Sequence, residues 1–226
     1  MQEFLENIIP NVMAKVPEFL NAIADTLIMV GISGVISFFL GLIFGLIVTV
    51  TQRGGILQNL VIYHILDKAI NIFRSIPFII LLTWVLPFTR AVVGSGIGVK
   101  GAIIPLVLGT VPFFSRQVQS ALAEVSPGVV EAAQAMGLSP MAIIFKIYLK
   151  EGIPSIARAT ALTAISLIGL TAMAGAVGAG GLGDFAIRYG HNRNQTDVTW
   201  VTVIAIMALV SVIQLIGDLI VRKNTH

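Results

Sequence analysis

Long apolar stretches with few charges dominate the chain, and they predict membrane-spanning helices. Three stretches contain no charged residue: Thr26–Gln52, Ala159–Gly183 and Val198–Gly217. A helix needs roughly 20 apolar residues to cross a bilayer, and each of the three is long enough. Two less regular candidates, 69–92 and 101–122, contain prolines, which a span tolerates when neighbouring helices or water satisfy the freed backbone groups. We predict an all-α, polytopic membrane protein with about five transmembrane helices. The alternative is four, with one span and a re-entrant segment within 69–122.

Composition supports this class and excludes others. Hydrophobic residues make up 56% of the 226 residues, charged residues make up 11%, and the mean hydropathy is +0.95. Soluble domains contain about 25% charged residues, so this chain cannot cover a water-soluble surface. We predict one transmembrane domain over 1–226. Residues 1–25 form an N-terminal interfacial segment, because their scattered charges and prolines lack the order of a secretory signal.

The sequence gives little support for a metal site, a disulfide or nucleic-acid binding. The chain has no cysteine, its three histidines are scattered, and its carboxylates do not cluster, so we predict no metal site and no cofactor in this chain. The net charge of +3 is typical of basic loops that anchor a membrane protein on its cytosolic side. We predict membrane lipid as a partner and no nucleic acid.

The distribution of basic residues predicts the orientation. With a cytosolic C-terminus, nine basic residues fall on the cytosolic side: Arg53, Lys68, Arg74, Arg116, Lys146, Lys150, Arg158, Arg222 and Lys223. Five fall on the other side: Lys15, Arg90, Lys100, Arg188 and Arg193. The excess favours an N-terminus outside and a C-terminus in the cytosol. Arg74 and Arg116 are then expected to extend toward the cytosolic interface, and the loop 123–155 is cytosolic.

The loop 123–155 is polar and contains its own helix signals. Ser126-Pro127 and Ser139-Pro140 each place a capping hydroxyl before a proline at the first helical position. Gly137 stands where the first helix must stop in a left-handed turn. We predict helices over about 127–136 and 140–150.

The two helices are expected to differ in the surfaces they present. Three alanines, Ala132, Ala133 and Ala135, keep the first helix thin enough to enter a groove on a partner, and Glu131 adds a charge near its start. An apolar stripe of Ile143, Ile144 and Ile147 is expected to face the membrane domain, with Lys146 and Lys150 outward. A plain amphipathic connector without a partner is the alternative.

One spacing in this loop resembles a known signature. The pattern Glu131-Ala132-Ala133, three residues, Gly137, nine residues, Ile147 and Leu149 resembles that of permease subunits of ATP-binding-cassette (ABC) importers. The resemblance implies that this loop couples the permease to a cytosolic ATPase subunit, which binds ATP and Mg. It also implies a second copy of the chain and an extracytoplasmic binding protein. Lys150 departs from the family, which usually has proline there, and this leaves the end of the second helix open.

A second string points to the solute. Phe73-Arg74-Ser75-Ile76-Pro77-Phe78 is similar to the second span of methionine-uptake permeases in the bacterial cytoplasmic membrane. The resemblance implies import of methionine, both L- and D-. The alternatives are another small amino acid or a betaine-like solute, an ATP-independent carrier or channel, and a membrane anchor or sensor without transport. The absence of intramembrane Asp, Glu or His relays argues against an ion-coupled carrier.

Glycine motifs allow further interpretations. Gly178-x-Gly180-x-x-Gly183 matches the dinucleotide fingerprint but follows a membrane span rather than a strand. We predict a tight turn or re-entrant segment instead, and the resemblance places this string at the outer gate. Pathway candidates there and on the preceding span are Ser166, Thr171, Met173, Gly178, Gly180 and Gly181. The chain contains no G-x4-G-K-[ST] phosphate loop, so we predict that it is not an enzyme.

Overall fold

The computed structural model describes residues 8–224, and within that range it contains helices and turns but no β-strand. The α-helices in chain order are α1 (Pro10–Met13), α2 (Val16–Thr51), α3 (Leu60–Ser75), α4 (Phe78–Val93), α5 (Gly98–Ala123), α6 (Pro127–Ala135), α7 (Pro140–Ile143), α8 (Leu149–Glu151), α9 (Ile153–Ala174), α10 (Gly181–Phe185) and α11 (Thr196–Asn224). Three π-helical segments continue helices at Ile144–Tyr148, Gly175–Ala179 and Ala186–His191.

Four of these helices, α2, α5, α9 and α11, are each long and apolar enough to cross a membrane, and the number is five if the pair of α3 and α4, which is bent by 107°, counts as one span. The all-α prediction with about five spans is therefore confirmed.

The helix that contains the first span begins before the charge-free stretch. Helix α2 starts at Val16, whereas the charge-free stretch starts at Thr26. Glu18 and Asp25, which belong to the predicted interfacial segment 1–25, therefore lie within this helix. Glu18 occupies the first turn, where the helix dipole favours a negative charge. The 36 residues of α2 span about 54 Å, well beyond the hydrocarbon thickness of about 30 Å. The length of the charge-free stretch therefore underestimates the length of the helix. Residues 1–7 of the predicted segment lie outside the described range.

The predicted span 69–92 is not one helix. Ile76 adopts an extended conformation, with φ −82° and ψ 122°, and separates α3 from α4. The cause is Pro77, because proline disfavours the helical conformation of the residue before it. Asn59 caps the start of α3, because its side-chain oxygen accepts hydrogen bonds from the N–H groups of Val61 and Ile62. The proline thus marks a break, whereas Pro87 is accommodated within α4.

The first of two compact units comprises the described part of Met1–Val35 together with Pro77–Val107 and Ala164–Ile213. Its core contains Val12, Leu182, Phe185 and Val198, all buried.

Polar contacts attach the N-terminal segment to this core. The backbone and side-chain N–H groups of Asn11 donate to the two carboxylate oxygens of Asp197 at 2.9 and 3.0 Å. The Tyr189 ring lies between two cations, with its centroid 5.3 Å from Lys15 Nζ and 4.9 Å from the guanidinium carbon of Arg193.

The second unit comprises Ile36–Ile76, Leu108–Thr163 and the described part of Gln214–His226. Here α2 and α5 approach closely. A Cβ atom on Gly41 would lie 2.7 Å from Phe114 Cδ1, and one on Gly45 would lie 2.6 Å from the Ser115 carbonyl oxygen. Small residues permit such close helix packing in membranes. The Gly41-x3-Gly45 motif therefore serves a helix contact within one chain.

Candidate functional site

The loop between α5 and α9 folds into a compact structure, the elbow, which we define as residues 125–152. It contains α6, a reversal at Gly137, and α7 continued by the π-helical segment and α8. The predicted pair of helices with a turn between them is confirmed. The second helix ends at Glu151 and Gly152, and α9 follows at once, so Lys150 lies within the last helical turn.

The turn at Gly137 has the hydrogen bonds of a Schellman motif. Gly137 N–H donates to the Gln134 carbonyl at 2.9 Å, and Leu138 N–H donates to the Ala133 carbonyl at 3.1 Å. Gly137 has φ +77°, a conformation that side chains with a Cβ rarely adopt. The apolar contact that accompanies this motif is also present, because Leu138 packs against the cluster containing Ala133. The predicted left-handed stop is thus observed.

Only one of the two predicted serine caps forms. Ser139 Oγ accepts a hydrogen bond from the Ala142 N–H at 3.3 Å. Ser126 precedes Pro127 but makes no side-chain hydrogen bond to the helix, so that part of the prediction is wrong. Proline at the first helical position preorganises φ and removes one unsatisfied donor, so α6 begins without the cap.

The elbow has a small apolar core of its own. Val125, Val130, Ala133 and Ile143 are buried, with Ile56, Leu138, Ile147 and Tyr148 packed around them. Burial raises the pKa of Tyr148 above its usual value.

Two predictions about the elbow's surfaces have different outcomes. Ala133 is 1% exposed, so it does not belong to the thin outer surface that we predicted, although Glu131, Ala132 and Ala135 do. Adjacent residues of an α-helix point about 100° apart, so Ala133 faces the core of the elbow while Ala132 faces outward. The apolar stripe is confirmed in part: Ile143 and Ile144 are buried, and Lys146 and Lys150 are exposed. However, Ile143 and Ile147 pack in the elbow's own apolar core, whereas we had predicted that they face the membrane domain.

The outer surface of the elbow contains large apolar residues that the sequence reasoning missed. Met136 is 73% exposed, Phe145 is 61% exposed, and Val129 and Met141 are also exposed. Val129, Ala132 and Met136 share one face of α6 by their spacing. Ile147 and Leu149, which the signature singles out, are only partly exposed. The sequence did offer a signal for this surface, because large apolar residues are unusual in a polar loop. Met136, directly before Gly137, is the clearest example.

The base of the elbow is attached to the spans on both sides. Glu124 accepts hydrogen bonds from Ser155 Oγ and from Arg158 Nη2, the latter at 3.3 Å, and Arg158 also donates to Ser155 at 2.8 Å. A Cβ on Gly152 would lie 2.6 Å from the Tyr148 carbonyl oxygen and 3.0 Å from Leu122 Cδ2. The end of α5, the elbow and the start of α9 are therefore in close contact.

The glycine-rich string after α9 forms a tight turn. Gly178, Gly180 and Gly181 have φ between +78° and +94°, as the prediction of unusual backbone angles requires. A Cβ on Gly181 would lie 2.7 Å from Thr26 Oγ1, and Leu182 N–H donates to that same oxygen at 2.9 Å. Protein atoms occupy the space beside this glycine. Since a helix precedes the string, the strand that a dinucleotide site needs is not there.

A polar pocket of about 210 Å³ lies beside this turn. Its lining includes the carboxylates of Glu18, Asp25 and Asp184, and Arg188. Asp184 pairs with Arg188 and raises the pKa of that guanidinium. Sequence reasoning missed the pocket because Glu18 and Asp25 are distant in sequence from Asp184.

The three pathway candidates on α9 do not share one face. Ser166 and Met173 are seven residues apart, and both are exposed, Met173 at 41%. Thr171 is buried, and its hydroxyl donates to the Ile168 carbonyl at 2.7 Å. Its polar group is therefore used within the helix, whereas Ser166 and Met173 remain candidates for contact with a solute or a partner.

Comparison with known proteins identifies the family. Residues 37–226 match the model of the binding-protein-dependent transport system inner membrane component family. The chain is 45% identical to a protein of Vibrio cholerae named a probable D-methionine transport system permease, over 92% of each chain. A similarly named protein of Pasteurella multocida is 44% identical, over 89% of this chain and 93% of its own length.

Solved structures agree. A chain of the inward-facing MetNI methionine ABC transporter superposes with a TM-score of 0.92 and 42% identity, covering 94% of this chain and 99% of its own. A chain of an amino acid ABC transporter has the same fold, with a TM-score of 0.78 at 15% identity over 95% of this chain and 98% of its own. The chain belongs to the family of binding-protein-dependent transport system inner membrane components.

Proposed function

We propose that this chain is the membrane-spanning permease subunit of an ATP-driven importer that carries methionine across the bacterial cytoplasmic membrane. The observation that carries the proposal is the similarity over nearly the whole chain to methionine permeases, which includes 45% identity over 92% of the chain. The exposed elbow supports the same function, because its outer face presents Glu131, Ala132 and Met136 to a partner. Both L- and D-methionine are carried.

The proposed assembly contains two copies of the chain, each docked on one cytosolic ATPase subunit. ATP and Mg are bound by the ATPase, since this chain has no phosphate loop. A methionine-binding protein delivers the solute on the extracytoplasmic side, and lipid surrounds the apolar spans. The N-terminus is outside and the C-terminus is in the cytosol, as the excess of basic residues on one side supports.

The proposed coupling mechanism depends on how firmly the elbow is attached. Glu124, Ser155 and Arg158 join its base, and Gly152 packs closely on Leu122. Closure of the ATPases therefore moves the elbow together with the inner ends of α5 and α9, as in rocking of rigid bundles. Glu131, Ala132 and Gly137 belong to the docking region, while Ala133 and Ile147 support it from the core of the elbow. Leu149, which is partly exposed, belongs to the second helix of the elbow.

Gating is proposed for Ser166 and Met173 on α9, and for Gly178, Gly180 and Gly181 in the turn that follows. The thioether of Met173 is flexible and polarisable, so it can contact a sliding apolar solute without binding it tightly. Thr171 maintains the helix through its bond to Ile168.

The test is solute uptake by proteoliposomes that contain the chain, its ATPase and its binding protein. We expect ATP-dependent accumulation of labelled methionine, inhibited by unlabelled L- and D-methionine. ATP-dependent accumulation of another amino acid in preference to methionine would contradict the proposed solute. Equal methionine flux without ATP would contradict the proposed mechanism.

A further inference from the structure

Helix α3 has an exposed apolar row that nothing in the proposed function uses. Val61, Ile65 and Ile72 are 69%, 63% and 60% exposed. Their spacing of four and seven residues places them on one side of the helix. Ile70, on the opposite side, is only 6% exposed. The row is therefore the outer face of α3.

A polar network fixes the rotation of α3 and with it the direction of this row. Arg116 on α5 donates from Nη2 to Asp67 Oδ1 at 2.7 Å and to Asn71 Oδ1 at 2.9 Å. Asn71 also donates to Asp67 at 3.1 Å. Arg116 thus pairs with α3, and its predicted position at the cytosolic interface stays a prediction. Because Asp67 and Asn71 of α3 are both held by Arg116 of α5, the apolar row cannot rotate inward.

The chemistry along the edge of the row identifies its occupant as lipid. Lys68 lies beside Val61 and Ile72 on the same side of the helix, is exposed, and makes no ion pair with a described residue. Lysine is depleted in protein interfaces, which argues against a second copy of the chain. In a bilayer interface, however, its stem can lie along hydrocarbon while the ammonium reaches a phosphate. His64, four residues before Lys68 and also exposed, adds a second polar group at the same edge. Arg74, four residues after Ile70, lies on the opposite side of the helix.

We propose that α3 lies in the lipid–water interface, with Val61, Ile65 and Ile72 in the acyl region and Lys68 at the phosphates, rather than crossing the hydrocarbon. An amphipathic helix binds membranes in this way, and here Lys68 lies at the edge of the apolar row rather than on the opposite side. The crossing then belongs to α4, whose 16 residues extend about 24 Å. This is shorter than the average hydrocarbon thickness of about 30 Å, a mismatch that a bilayer accommodates by local thinning. This proposal goes beyond the proposed function and holds whichever solute is carried.

The test uses single-cysteine variants, which need no background mutations because the chain has no cysteine. The full-length chain with V61C, I65C or I72C is spin-labelled in vesicles of phosphatidylethanolamine and phosphatidylglycerol. Collision with oxygen and with a water-soluble nickel complex is then measured. H64C, on the polar flank, is the matched control, and A69C replaces any position whose variant does not assemble.

The pattern along the helix distinguishes the outcomes. We expect labels at 61, 65 and 72 to favour oxygen and the label at 64 to favour nickel, with similar depth at 61 and 72. If α3 instead crossed the bilayer, depth would change steadily over the roughly 16 Å between those two positions, and the proposal would be overturned. It would equally be overturned if the labels at 61, 65 and 72 were shielded from both reagents, because a second copy would then cover the row.

Discussion

The backbone N–H of Leu138 donates a hydrogen bond of 3.1 Å to the carbonyl of Ala133, across a turn that Gly137 alone makes in the left-handed conformation. This bond brings the Leu138 side chain into the apolar cluster that contains Ala133. The reversal of the chain and the core of the elbow are therefore formed by the same few residues. A change at either position should alter the surface that the elbow presents.

The first prediction concerns Gly137. An alanine there meets no neighbouring atom, so its cost is backbone strain of about 1–2 kcal/mol. We expect G137A to reduce the amount of ATPase that co-purifies and to slow ATP-driven uptake, and G137N to restore part of both, since asparagine tolerates this conformation. G128A is the control, because Gly128 lies in α6 without a positive φ. Equal behaviour of G137A and G128A would count against a role for this turn.

The second prediction separates the inside of the elbow from its outside. A133L inserts a large side chain into a buried site and should destabilise the elbow by about 1–3 kcal/mol. A132L adds the same volume on the exposed face, so the elbow should stay folded while docking weakens. Limited proteolysis of the chain without its ATPase measures the first effect, and co-purification measures the second. Cleavage of both variants at the same rate would contradict the assignment of the two faces.

The third prediction concerns Arg116 and Asp67. Their side chains are only 24% and 23% exposed, so removing one partner leaves a poorly solvated charge and should cost about 1–3 kcal/mol. We expect D67N and R116Q each to lower the thermal stability of the purified chain. The double variant should lose less than the sum of the two, because the partners interact directly. Strict additivity of the two losses would show that the pair contributes nothing.

The fourth prediction concerns the glycine-rich turn. G181A combines a positive φ with a Cβ 2.7 Å from Thr26 Oγ1 and 2.9 Å from Met29 Cε. G178A has the positive φ but open space around the Cβ. We therefore expect thermal stability to fall more for G181A than for G178A. G169A, in a helix with open space, should stay close to the parent. The reverse order would show that the turn rearranges freely.

Sequence reasoning succeeded where one local rule decided the structure. Gly137 and the proline that follows Ser139 marked the elbow, and charge-free length marked the spans. It failed where distant segments meet. Ala133 was assigned to the surface because burial depends on Ile143 and Leu138 folding back over it. The pairing of Arg116 was missed because its partner Asp67 is 49 residues away. The polar pocket beside the glycine-rich turn was missed for the same reason, because Glu18 and Asp184, which line it, are far apart in the sequence.

The most direct test of the elbow as the docking site is a cross-link from Met136, which is 73% exposed. M136C, the single cysteine of the chain, carries a photoreactive label in membranes that contain the assembled transporter. W84C on α4, 65% exposed in the parent chain, is the control. The account predicts an adduct between position 136 and the ATPase subunit and none from position 84. An intact, transporting complex with no ATPase adduct at position 136, or labelling of that position from outside the cell, would contradict it.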